Sequence, residues 1–224
     1  MKTGLIVSAL IFLAMLGVSA YGYVTIPEGT QIARHWDFNG NPNGYSSRNN
    51  VLAFGPVMVL FLTGVFSVLP RLDPRRKNIE GAEALLLSGW IGSLLIIGVI
   101  HGVIVVQAAR GDITGPPPDL IHFMIAILII VIGNFLAKSK SNFMIGVRTP
   151  WTLSSEHAWQ TANRAAGWMF VVTGFLTIAV LLWGNTREAI IVMVAGLLAS
   201  AIVSAVISYF AWRNDPDRAA RQAK

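Results

Sequence analysis

The sequence predicts an all-α membrane protein of six transmembrane helices, with a structured outer loop and a cytoplasmic interfacial helix. Three observations predict it. Of 224 residues, 54% are apolar and only 12% charged, about half the charge of a soluble domain. Those apolar residues gather in runs long enough to cross a bilayer instead of recurring at helical or strand period. Lys and Arg divide unevenly between alternate loops, as the positive-inside rule requires of a polytopic protein.

The first span runs from about Gly4 to Val24. Lys2, the apolar core and Val18-Ser19-Ala20 also fit a cleavable signal peptide. The stretch is long enough to cross, so an uncleaved first helix is expected. A polar loop follows over 26–50, and Asn39-Gly40 and Asn43-Gly44 mark turns in it, because both residue types tolerate positive φ. Pro42 adds a fixed corner. The loop therefore reads as tightly structured, with His35, Asp37, Asn39, Gly40, Pro42, Gly44, Tyr45 and Arg48 as its candidate functional residues.

The second span covers about Val51 to Leu69 and contains Pro56, a residue tolerated in lipid with a kink. A charged turn over 71–80 leads to the third span, about Ala84 to Val106. A short Pro-rich loop leads to the fourth, about Leu120 to Ala137. The fifth, about Ala165 to Trp183, and the sixth, about Ala189 to Ala211, are joined by a tight turn and end in a basic tail. Residues 1–137 form an N-terminal half and 138–224 a C-terminal half of one integrated membrane domain. Divided instead into spans one to three and four to six, the chain would consist of two mutually inverted repeats, as in many transporters, although the long polar loops after the first and fourth spans share almost no sequence.

Orientation follows from the cations. Lys2, the four between 71 and 77, Lys138, Lys140, Arg148, Arg164 and the four of the tail lie on one side, thirteen in all. Arg34, Arg48, Arg110 and Arg187 lie on the other. Both termini are thus expected in the cytoplasm and the 26–50 loop outside. The same distribution explains a pI near 10.1 without a nucleic-acid partner.

Several chemistries are excluded or weakened. With no cysteine, disulfides, thiolate metal sites and cysteine nucleophiles are absent. No phosphate-binding glycine loop or nucleotide fingerprint occurs, and Ser46, Ser47, Ser154 and Ser155 have no base at a telling spacing. No enzyme activity and no cofactor are expected. No span carries Asp, Glu, Lys or Arg near its centre, which weakens an ion-coupled transporter. Asn134 in the fourth span reads as interhelical glue, and Gly64, Gly89, Gly92 and Gly98 read as close-packing positions. His35, His101 and His122, with Glu28, Asp37 and Asp119, fall toward the outer face. They suggest either a metal- or pH-responsive site or histidines hydrogen-bonded to loop backbone.

The stretch 142–167 is too long and too patterned to be a connector. Arg148-Thr-Pro-Trp is expected to be extended, since a residue before proline leaves the helical region. Ser154 or Ser155 can cap a helix with Glu156 in its first turn. Trp159, Asn163, Ala166 and Phe170 then share one face, and Trp151, Trp159 and Trp168 suit the headgroup level. The candidate docking set is Asn142, Gly146, Arg148, Thr149, Pro150, Trp151, Glu156, Trp159, Asn163 and Arg164.

Asn142-Phe-Met-Ile-Gly-Val-Arg-Thr-Pro-Trp-Thr-Leu153, with Glu156, Trp159, Asn163-Arg164 and Gly167, resembles the signature of the SdpI-type bacterial immunity family. Ile26-Pro-Glu28 and His35-Trp-Asp-Phe-Asn-Gly-Asn-Pro-Asn-Gly-Tyr-Ser-Ser-Arg48 resemble the partner domain of unknown function that often precedes it. One departure stands out: the family often has His where this chain has Asn163. The resemblance implies a multi-pass protein of the bacterial plasma membrane. The family's best-known relative protects its cell from a secreted killing peptide and holds a transcriptional repressor at the membrane. The function expected here is therefore resistance to a secreted antimicrobial peptide outside, with recruitment of a repressor inside. A small transporter, or a sensor using the outer histidines, is the alternative.

Overall fold

The computed structural model describes residues 1–37, 40–75 and 82–217. In chain order it comprises α1 (Lys2–Thr25), β1 (Gln31–Trp36), β2 (Pro42–Ser47), α2 (Arg48–Leu72), α3 (Glu83–Ala109), α4 (Pro118–Leu136), α5 (Pro150–Ser154), α6 (Glu156–Leu182) and α7 (Thr186–Arg213). Every helix but the five-residue α5 is long and apolar enough to cross a membrane. The expected six-span helical architecture is therefore what forms; α4 nearly coincides with its expected span, whereas α6 begins nine residues earlier, at Glu156. Asn39 and the cations at 76, 77, 218, 221 and 224 lie outside the described residues.

The helices pack in two groups of three. In the first, α1 lies against both α2 and α3; in the second, α6 lies between α4 and α7; α3 and α4 join the groups. The first group closes over Met15, Val59, Trp90 and Leu94. The Trp90 indole stacks on Phe66 at 5.9 Å and donates to Ser8 Oγ at 3.0 Å. Gly4 makes room for it, since a Cβ there would come within 2.7 Å of the ring.

The second group is held by small residues. A Cβ on Gly167 would meet the Gly133 carbonyl at 2.5 Å, and one on Gly174 would meet the Ala126 carbonyl at 2.8 Å. The α4 and α6 backbones thus touch directly. On α7, Gly196 receives Thr173, and Ser200, Ser204 and Ser208 continue a buried stripe at four-residue spacing. Lipid tails are as apolar as leucine, so close van der Waals contact, more than apolar burial, holds such helices together. Large apolar side chains such as Phe61, Phe175 and Ile202 face outward instead.

Three local expectations change. Gly92 does pack closely, against Leu128, but Gly64 has no atom within 4 Å of a built Cβ and Gly89 and Gly98 make only ordinary contacts. Which glycines matter depends on the partner helix, which one-dimensional spacing does not specify. Asn134 sits in the last turn of α4, is exposed, and has no side-chain hydrogen bond among the described residues, so it glues no helix pair within this chain. The 26–50 loop is a β-hairpin. Its turn uses Gly40 at φ +82°, whereas Asn43-Gly44 lies inside β2, where Gly44 faces His35 beside a register shift. Strand pairing absorbed the second Asn-Gly as a bulge.

Replacing Gly167 with Val should lower the apparent Tm in detergent, an overpacking cost of about 1–3 kcal/mol. Gly64→Ala should be neutral or stabilise by up to about 1 kcal/mol, the helix-propensity gain. Equal melting of the two variants would contradict direct α4–α6 backbone contact.

Candidate functional site: a side-chain-pinned loop at the terminal end of the bundle

Between α4 and α5 the chain runs from 137 to 149 with no helix or strand. Its polar backbone groups need partners at the membrane boundary, and side chains supply them. Asn142, fully buried, accepts from the Met144 and Ile145 N–H groups through Oδ1 at 3.0 and 2.7 Å. Its amide donates to Lys140 O. Asn163 on α6, also fully buried, accepts from Val147 N–H at 2.8 Å and donates to Trp159 O. The buried Trp159 indole donates to Ser139 O at 2.8 Å. Gly146, at φ +113°, passes so close that a Cβ would stand 2.7 Å from Asn163 Oδ1.

The loop then enters α5. Thr149 is extended, as the following Pro150 demands, and forms a capping box with Thr152. From Pro150 the chain is helical, not extended, because proline suits the first helical position. Of the two candidate caps, Ser154 and Ser155, it is Ser155 that caps α6 by accepting from Ala158 N–H, and Glu156 occupies the first turn as expected. The capped helix that starts at Glu156 runs straight into the fifth span, since α6 is unbroken from Glu156 to Leu182.

Residues distant in sequence fasten this unit. Asp73, buried just beyond α2, accepts from Phe143 N–H at 2.8 Å and Arg75 N–H at 2.7 Å. The Arg75 guanidinium donates to Ser141 Oγ and Leu153 O and lies over the Phe143 ring. At the end of α7, Asp215 accepts from Ser155 Oγ at 2.5 Å, and Ser208 bonds Thr149 Oγ1 at 2.9 Å. None of Asp73, Arg75, Ser208 or Asp215 stood out in the sequence. Their one signal is that Asp73-Pro-Arg75 and Asp215-Pro216 end helices with an acid before proline.

The candidate docking set thus divides. Asn142, Trp159 and Asn163 lie inside, so Trp159 is not a headgroup anchor. Gly146, Thr149 and Trp151 are half-buried, with Trp151 edge-on to Tyr209 at 5.2 Å. Arg148, Pro150, Glu156 and Arg164 are exposed. Arg148 is held outward by one hydrogen bond to Phe143 O at 2.8 Å.

At the opposite end the hairpin is bound down. Ala33 N–H donates to Ile113 O, and the Trp36 indole to Thr114 O at 2.7 Å. Gly115, at φ +81°, gives way to the Trp36 ring. Buried Arg48 donates to Tyr23 O and Ile26 O and stacks on Tyr23, tying α1 to α2. Asp37 accepts from Asn41 N–H across the turn; Gly40 rests on Pro118; Tyr45 is exposed. The three histidines have separate partners: His35 meets Asn43 Oδ1, His101 meets Ser19 Oγ at 2.9 Å, and His122 meets Pro118 O. Among the described residues no three His, Asp or Glu side chains are grouped to hold a metal ion.

Residues 138–209, which hold the pinned loop, α5, α6 and most of α7, match the model of the SdpI/YfhL protein family. Residues 10–60 match a domain of unknown function, DUF1648. Over 215 residues the chain is 28% identical to the immunity protein SdpI of Bacillus subtilis (strain 168), covering 96% of this chain and 98% of that one. The likeness to that protein thus runs over nearly the whole chain. No solved structure matches it. Within the matched region the signature residues chiefly build the loop, leaving Arg148, Glu156 and Arg164 on its surface. Six spans and this likeness make it a multi-pass membrane protein.

Asn163→Ala should leave Val147 N–H unpaired and cost about 1–3 kcal/mol, read as a lower Tm and faster proteolysis within 139–149. Asp73→Ala should act alike through Phe143 N–H. Arg164→Ala, on the exposed side of the same turn, should stay within about 0.5 kcal/mol of wild type.

Proposed function

We propose that this protein is a non-enzymatic immunity protein that gives its cell resistance to a secreted toxic peptide. The observation that carries this reading is the end-to-end likeness to an immunity protein, which spans both three-helix groups and both polar ends. The cation distribution supports an orientation with both termini and the pinned loop in the cytoplasm. The hairpin then faces the peptide, and Tyr45 and Arg34 are among its exposed side chains.

The pinned loop is the signalling end. Exposed Lys138, Lys140, Arg148 and Arg164 give it a positive surface, suited to steering an acidic partner such as a transcriptional repressor. Buried Asn142, Asn163 and Trp159 hold that surface in shape without touching the partner.

Two measurements test this. Expression of the chain in a peptide-sensitive bacterium should restore growth in the presence of the killing peptide; unchanged killing by a correctly inserted protein refutes the immunity role. Arg148→Ala should abolish repressor recruitment to the membrane fraction while protein level and peptide resistance persist. Normal recruitment by this variant removes Arg148 from the docking surface.

A further inference from the structure

A groove of about 870 Å³ lies under the hairpin, within the range of about 300–1,000 Å³ that ligand sites occupy. One wall is α2, from Val51 to Val57, and the other is α3, where Ile97, Ile100 and Ile104 stand one above another. At 1.5 Å per residue these rows extend about 10 Å along the helix axes. The groove is therefore a trough running along the bilayer normal. Phe54 and Val57, 62% and 60% exposed, form its open lip, so it opens sideways into lipid while β1 and β2 cover its top.

The cover carries charge of one sign. Arg34 lines the top of the trough, is exposed, and makes no ion pair among the described residues. Among the described residues no Asp or Glu lines the groove. The floor is fixed: the His101 ring is tied to Ser19 and lies against Gly55, where a Cβ would meet it at 2.6 Å.

We infer that this trough is a binding site for an anionic phospholipid of the leaflet at the hairpin end, with its phosphate on Arg34 and one acyl chain between α2 and α3. Three features favour a lipid over a water-borne peptide. Entry is from the bilayer side, the long axis follows the acyl chains, and Arg34, the one Lys, Arg, Asp or Glu among the described lining residues, stands at headgroup height above helix walls that are apolar apart from His101. This inference stands apart from the immunity reading, since it needs neither toxin nor repressor.

Native mass spectrometry of the full chain in detergent, titrated with phosphatidylglycerol or phosphatidylethanolamine of equal chain length, tests it. Wild type should retain phosphatidylglycerol in preference. Arg34→Gln should weaken phosphatidylglycerol binding about fivefold, the weight of one arginine at an anionic surface, and leave phosphatidylethanolamine unchanged. Ala53→Trp, which fills the trough from an exposed position, should reduce both lipids; Val57→Trp repeats the block lower on the same wall. Thermal melts confirm that each variant is folded, and Arg34→Gln decides the headgroup contact whether or not the tryptophan variants accumulate. Equal retention of phosphatidylglycerol by wild type and Arg34→Gln overturns the proposal. So does a tryptophan effect confined to a dimer population, which assigns the groove to a second copy, or confined to binding of the killing peptide.

Discussion

A backbone at the edge of a bilayer that forms neither helix nor sheet must have its N–H and C=O groups matched one by one. The segment from 137 to 149 is in that position, and the bundle's terminal end is built around matching it. Asn142 closes one turn internally, Asn163 reaches in from α6, Asp73 from the end of α2, Trp159 donates to its Ser139 carbonyl and Arg75 to its Ser141 hydroxyl. Each unmade bond would leave a dehydrated polar group, a cost of about 1–3 kcal/mol. Because the partners come from several helices, the loop also sets where those helix ends stand. Arg148 projects from a surface whose shape is determined by residues beneath it.

Helix packing obeys a second rule of the same solvent. Contacts that bring backbones together use Gly133, Gly167, Gly174 and Gly196, while bulky apolar side chains turn to lipid. The first three-helix group contains a conventional apolar cluster around Trp90, and the second relies on small residues and serines. This difference fits their tasks. The first group seats the hairpin over Ile26, Ile32, Leu52 and Val105; the second holds the pinned loop through α6 and α7. Each polar end thus rests mainly on its own group, with the α3–α4 contact and Asp73 and Arg75 linking them.

Much of this was legible in the chain. Six spans were readable because lipid requires each crossing helix to be apolar along its own length, a property of one segment at a time. Ser155, Glu156 and Gly40 were readable for the same reason: caps and turns are satisfied by near neighbours. The resemblance to the SdpI family located the region around 142–167. It did not separate its buried residues from its exposed ones.

The sequence by itself determined the spans, the caps, the uneven distribution of cations and the family likeness, all of which are local or compositional. Tertiary structure alone decided that Trp159 and Asn163 face inward to a loop, that Asp73 and Asp215 reach it from distant helix ends, and that Gly64 packs on nothing while Gly167 touches a backbone. It also decided that 26–50 pairs as a hairpin over a trough. These are relations between segments, set by which helix lies against which, and no spacing along a single chain encodes the identity of the neighbour.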